Sequence, residues 1–280
     1  MSVIGAMATV HAPFIAGMPE LAPEIQRESV HRGFERLRAV ITELDPDLIV
    51  TVSSEHITNF LADNVPPFAV STAAENPTQP EFGLPDRMVP GHAAFAAGLA
   101  NYAAERGFPL DGRSELYLDH GTNLPLKFLR PDYDIPVVPI IVNTVWAPFP
   151  STAQAHDLGS LLVRYVDEQW PDRRVLLLGT GGISHWVGNR RHGDMNGDFD
   201  RWFLGLVLNK DDHALRSITD DAIEPGGDGA HEIRTWITMS GAAHEAGLIP
   251  ELNLDESFVP GWNVGVYQVV WRTAPITEDS

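Results

Sequence analysis

The stretch "DLIVTVSSEHITNF" (residues 47–60) begins as an apolar run, Leu48 to Val52, and then turns polar around a histidine, His56. Apolar character this continuous suits a strand covered on both faces, as in a mostly parallel sheet. The same thing happens twice more: "VIGAMATVHAP" (residues 3–13) runs into His11, and "RVLLLGTGGISHW" (residues 174–186) runs into His185. In open α/β sheets, ligands sit outside the carboxyl ends of the strands. Three apolar runs that each feed a histidine therefore predict three imidazoles at one edge of one sheet.

Outward from these runs, the pattern predicts strands over residues 3–10, 48–53, 137–142 and 175–178. A fifth run, "NVGVYQVVWR" (residues 263–272), alternates more and reads as an edge strand. Helical spacing of apolar residues marks 23–44, 92–106, 152–169, 197–208 and 230–246. Strands alternating with helices predict an α/β fold, with a central mostly parallel sheet flanked by helices. No repeat, low-complexity tract or linker interrupts the chain, so one domain over 1–280 is expected. Residues 63–88, rich in proline, and residues 248–261 read as long loops. Loops of this length are often functional, and these two are expected to wall the pocket and set substrate size.

Composition narrows the function. A net charge of −19, with two lysines against 17 arginines and no basic run, argues against a nucleic-acid partner, because phosphate backbones demand a basic footprint. With no cysteine, disulfides, thiolate metal sites and cysteine nucleophiles are excluded. The start "MSVIGAMATVHAPF" shows neither a basic region nor a long apolar core of a signal peptide. No uncharged window approaches the ~20 apolar residues needed to span a bilayer. A cytoplasmic protein without a membrane partner is expected.

Neutral imidazole is a common metal ligand and the usual acid/base near neutral pH. Two histidines plus one carboxylate, with open positions, is the facial arrangement of non-haem Fe(II) oxygenases. Spacing alone does not select that carboxylate among 38 acids. "GTGG" (residues 179–182) lacks the Lys-Ser/Thr of a phosphate loop, and its glycines are expected to turn the backbone and present His185. His31, His92, His156, His192, His213 and His244 carry no such signal.

The chain resembles the catalytic subunits of the class III extradiol ring-cleaving dioxygenases, the protocatechuate 4,5-dioxygenase β-subunit superfamily. The residues that carry the resemblance are "HAP" with His11, "SSEHITNF" with His56, "DHGTNLPL" with His120, "GTGGISHW" with His185 and "HEIRTWITMSGA" with Glu232. They occur in family order across most of the chain. The resemblance implies Fe(II) held by His11, His56 and Glu232, with His185 as acid/base and His120 as a further acid. Glu232 stands in a predicted helix four residues before Trp236, so both are expected to face the sheet, with His231 turned elsewhere. Glu245 is the rival carboxylate. For His120 the structural alternative is a turn, since Asp119, Gly121 and Pro125 are turn formers.

The implied reaction inserts both atoms of O2 into a catechol-type ring and opens it beside the diol, without an external reductant or organic cofactor. Arg190 and Arg191 are the candidates for holding a substrate carboxylate. A homo-oligomer is expected, alone or with a separate small subunit. Two other classes stay open at this point: a zinc-dependent hydrolase on the same scaffold, and a non-catalytic binding protein of the superfamily.

Overall fold

The computed structural model describes residues 2–273. In chain order the strands are β1 (Val3–Thr9), β2 (Leu48–Ser54), β3 (Phe68–Ser71), β4 (Glu75–Pro77), β5 (Met88–Pro90), β6 (Leu110–Arg113), β7 (Val137–Val142), β8 (Val175–Thr180), β9 (Ile249–Val259) and β10 (Val264–Arg272). The helices are α1 (Phe14–Gly17), α2 (Glu24–Leu44), α3 (Ala93–Glu105), α4 (His120–Leu129), α5 (Thr152–Gln169), α6 (Gly197–Leu208), α7 (Asp212–Arg216), α8 (Asp220–Ile223) and α9 (Ile233–Ala246).

Eight strands form one sheet in the order β6-β3-β7-β2-β8-β1-β10-β9. Its centre, β7-β2-β8-β1, is parallel throughout. β3 and β10 join that centre antiparallel on its two sides. Every residue of β2, β7 and β8 is buried, which is why their sequences are nearly unbroken in apolar character. Leu176 of β8 points toward α2, whereas Gly179, an odd number of residues along, faces α9. α2 packs with α4 on the first face and α5 packs with α9 on the second. β8 lies between β1 and β2, so the three strands that precede His11, His56 and His185 are neighbours ending at one edge.

Two expectations fail at the other edge. The run 263–272 is not an edge strand: β10 lies between β1 and β9, and only its last residue, Arg272, is not fully buried. Its alternation reflects Gln268, a buried polar residue whose Oε1 accepts from Asn253 Nδ2 at 2.7 Å. The true edge is β9, within the stretch read as a loop over 248–261. Its sequence "IPELNLDESFV" places charges along a mostly solvent-facing strand, which hides it from a hydrophobic pattern and also guards an open edge against further pairing. Residues 63–88 likewise contain β3, β4 and the start of β5.

α4 was hidden by its own turn formers. Asp119 caps it, accepting Gly121 N–H at 2.9 Å. Pro125, inside the helix, offers no N–H to the Gly121 carbonyl four residues back. That carbonyl accepts the Thr180 hydroxyl instead, at 2.7 Å, which ties the end of β8 to the start of α4. No helix among the described residues is long and apolar enough to cross a membrane.

α5 and α9 meet backbone to backbone. A Cβ on Gly159 would stand 2.0 Å from the Thr238 carbonyl oxygen, and one on Gly241 would stand 2.1 Å from that of His156. Gly159→Ala is therefore expected to force the helices apart and lower unfolding stability by roughly 1–3 kcal/mol or more, as overpacking does. Urea denaturation measures it, and an unchanged midpoint would contradict the close crossing.

Candidate metal centre

His11 lies two residues beyond β1, His56 two beyond β2, and His185 five beyond β8. Glu232 ends a single 3-10 turn (Asp228–Glu232) directly before α9, so it enters the site from a helix N-terminus and not from a helix interior. Its buried carboxylate reaches all three imidazoles. Oε2 is 3.2 Å from His11 Nε2, and Oε1 is 3.3 Å from His56 Nε2 and 3.7 Å from His185 Nε2. The Gly182 N–H donates to Oε2 at 2.5 Å. As expected, Trp236 also faces the sheet, its Nε1 donating to the Gly181 carbonyl at 2.8 Å.

The glycines of "GTGG" act differently from the expected tight turn. Neither Gly181 nor Gly182 has a positive φ. Their service is close approach: a Cβ on Gly182 would lie 2.6 Å from the His185 ring. Gly229 closes the cradle from the other chain segment, since a Cβ there would lie 2.1 Å from His185 Nε2.

His120 joins the group as the first residue of α4. Its ring centroid is 4.2 Å from that of His56 and 5.6 Å from that of His11. One nitrogen from each of His11, His56 and His120 lies within 4.8 Å of the others, a second possible donor set. His231 is turned away, stacked on Phe149 at 4.0 Å and bonded to Arg234. Burial, with Arg234 beside it, lowers its pKa to about 4. Glu245 is excluded as the metal carboxylate by its place at the opposite end of α9, where it forms a forked pair with Arg164. Arg190 and Arg191 lie on the surface, and Arg191 stacks on Trp186 and pairs with Asp194.

Three acids escaped sequence reasoning. Asp119 Oδ2 lies 3.0 Å from His56 Nδ1. In the sequence Asp119 stood out only as a turn former; its cap on α4 and its bond to His56 needed β2 and α4 side by side. Glu81 Oε1 lies 2.7 Å from His120 Nδ1. Glu55, fully buried, accepts the N–H groups of Thr58, Asn59 and Phe60 on one oxygen. It closes a turn in which Ile57 holds φ 62, an outlier for a β-branched residue, right beside His56.

These contacts set the charges. Burial opposes ionisation of Asp119, but the neighbouring His56 holds it below the usual carboxylate range. An ionised Asp119 only accepts, so His56 Nδ1 carries the proton of that bond. His56 Nε2 then meets the Glu232 carboxylate, an acceptor, and a cation must lie between them. In the protein alone that cation is a proton. Burial opposes charge on His56, yet Asp119 and Glu232 outweigh it and raise its pKa well above the ordinary value. Burial lowers that of His11. Burial also works against Glu232, but His11 and His185 pull it well below the usual range. A divalent ion fits the same place. Ligand atoms sharing one ion at ~2.1 Å lie about 3.0–3.4 Å apart, as the Glu232 oxygens do from His11 and His56.

A family model described as the catalytic LigB subunit of aromatic ring-opening dioxygenase matches residues 5–267. A 2,3-dihydroxyphenylpropionate/2,3-dihydroxicinnamic acid 1,2-dioxygenase of Paraburkholderia xenovorans (strain LB400) is 30% identical, over 85% of this chain and 87% of that protein. A protein of the same description from Rhodococcus globerulus is 24% identical, over 85% and 88%. Among solved structures, an uncharacterized protein of Escherichia coli K12 matches with a TM-score of 0.61 at 17% identity, over 95% of this chain and 99% of its own, a likeness of fold.

A metal entering this site displaces the proton held on His56. Affinity is therefore expected to rise with pH up to the raised pKa of His56, with about one proton released per ion near neutrality. Asp119→Asn removes a negative charge that raises the His56 pKa, so proton release should fall. Calorimetric titration of the metal-free protein in buffers of different ionisation enthalpy measures both, and pH-independent affinity would refute the linkage.

Proposed function

This chain belongs to the LigB family of aromatic ring-opening dioxygenases, and from that membership we propose that it holds Fe(II) through His11, His56 and Glu232 and cleaves a catechol bearing a short carboxylated side chain. Family membership makes it an extradiol ring-cleaving enzyme that uses a metal, O2 and an aromatic diol, and it sets aside the hydrolase and the non-catalytic binder. The substrate class rests on the activity for which the relatives are named.

The observation that carries the ligand set is the Glu232 carboxylate, 3.2 and 3.3 Å from the Nε2 atoms of His11 and His56. The three-histidine alternative is weaker, because its nitrogens are gathered only to within 4.8 Å of one another, wider than ligands of one ion stand. Fe(II) bound there supplies open positions for diol and O2, acidifies the diol hydroxyls and conducts electrons from the ring to O2. The remaining steps belong to the chain. His185, whose Nε2 faces the site 3.7 Å from Glu232 Oε1, accepts the second diol proton and later gives it to the oxygen left at the ring. Gly182 and Gly229 confine its ring, so the proton is taken and returned at a fixed place. His120 supplies the second acid from its place beside the His56 ring.

Anaerobic loading with Fe(II), followed by O2 uptake over a panel of vicinal diols, tests the reading. Uptake is expected with 2,3-dihydroxyphenylpropionate, at one O2 per ring opened. Glu232→Gln should lose the metal. His185→Ala should keep iron and lose about 10²–10⁴-fold in turnover, the usual worth of a positioned acid/base. His120→Ala should keep iron with a smaller loss. Full activity of His185→Ala, or iron retained in Glu232→Gln, would end the assignment.

A further inference from the structure

The residues expected to wall the pocket include one whose contact reaches the chemistry directly. Glu81 Oε1 accepts two bonds from the same residue: the backbone N–H of His120 at 2.8 Å and, on its side chain, Nδ1 at 2.7 Å. We propose that Glu81 is a positioning residue for His120: it keeps a hydrogen on Nδ1, so that the proton His120 gives as an acid is carried on Nε2, turned to the bound diol. The inference rests on the reading of His120 as the second acid.

Four features carry it. An imidazole whose Nδ1 keeps its hydrogen on a carboxylate takes up and gives its other proton at Nε2. Here a carboxylate takes Nδ1, and Nε2 has no protein partner among the described residues. The backbone bond on the same oxygen fixes where the acid stands relative to the ring, so it sets orientation as well as tautomer. Leu118 and Asp119, just before α4, are buried, and among the described residues Glu81 alone hydrogen-bonds the His120 ring.

The segment carrying Glu81 is itself docked. Gln79 N–H donates to the Leu118 carbonyl at 2.8 Å, and Leu84 N–H donates to Glu81's own carbonyl at 2.8 Å. Phe82 holds φ 50 and sets its ring edge-on to His120 at 5.4 Å. It packs against Gly17 at the end of α1, where a Cβ would stand 3.0 Å from Phe82 Cβ and 3.1 Å from its carbonyl oxygen. A non-glycine residue with positive φ persists where its surroundings hold it. The docking thus delivers a carboxylate to one nitrogen of one histidine. For a metal-bound histidine the outer partner is typically worth about 10–100-fold, and a loss of that order is expected at His120.

The test uses the Fe(II)-loaded enzyme with 2,3-dihydroxyphenylpropionate, and a separate spectroscopic readout on the metal-free protein. Glu81→Ala is expected to lower kcat about 10–100-fold with KM and iron content nearly unchanged. Glu81→Gln, whose amide oxygen still accepts from Nδ1, should recover part of the loss. In a His120→Ala background, Glu81→Ala should cost nothing further. In ¹⁵N-histidine-labelled protein, His120 should show its hydrogen on Nδ1 and lose that preference in Glu81→Ala. Gly17→Val, which pushes on Phe82 without touching Glu81, should shift kcat and the ¹⁵N signature in the same direction, and it keeps the test open should Glu81→Ala not fold. Glu81→Ala with full kcat while His120→Ala is crippled would overturn the positioning role alone. A harmless His120→Ala would overturn the acid role beneath it, and the two losses adding in the double variant would show that Glu81 acts elsewhere.

Discussion

A buried carboxylate facing three imidazoles is the constraint on which this structure turns. Glu232 has left water, and burial alone would favour its neutral form. It stays ionised because His11, His56 and His185 converge on it and because the Gly182 amide donates to it. The three imidazoles come from the ends of three different strands, and the Gly182 amide follows β8 as His185 does. The carboxylate is stable only when β1, β2 and β8 lie side by side and α9 starts directly above them. An arrangement of this kind is costly without a cation, and that cost is what a metal relieves.

Much of the surrounding fold serves that convergence. Asp119 caps α4 with one oxygen and orients His56 with the other, so the helix start and the His56 ring are set by a single side chain. Pro125 frees the Gly121 carbonyl, and Thr180 at the tip of β8 takes it. A residue that would ordinarily disrupt a helix is used here to fasten the helix to the strand that leads to His185. Glu55 gathers three amides to hold Ile57 in a strained backbone next to His56. Glycines clear the space, because the His185 ring sits where a Cβ on Gly182 or Gly229 would be. Preorganisation of this kind lets a site act without rearranging at the moment of reaction.

The parts of the fold legible in the sequence were those with one cause. β2, β7 and β8 are buried on both faces, so their residues are apolar without interruption, and each could be marked within a residue or two of its observed end. α2 carries Val30, Phe34, Leu37 and Ile41 at helical spacing because one of its faces is buried. The parts that were misread had two causes at once. β9 is a strand by pairing and a charged surface by exposure, so its sequence resembles a loop. α4 is a helix built from turn formers whose capping and proline chemistry is completed by other segments.

For the site, the sequence by itself determined the histidines delivered by apolar strands, whereas Glu232 stood out through the family resemblance and not through its spacing. The sequence determined that three of the histidines reach one edge, because strand direction in a parallel sheet is set by the crossover connections between strands. Only the tertiary structure decided which acids matter. Asp119 is 63 residues from His56, Glu81 is 39 from His120, and Glu232 is 176 from His56. A carboxylate far along the chain leaves no periodicity behind. Its role depends on distance in space, and electrostatic interaction between buried groups is settled within a few ångströms that no one-dimensional pattern records.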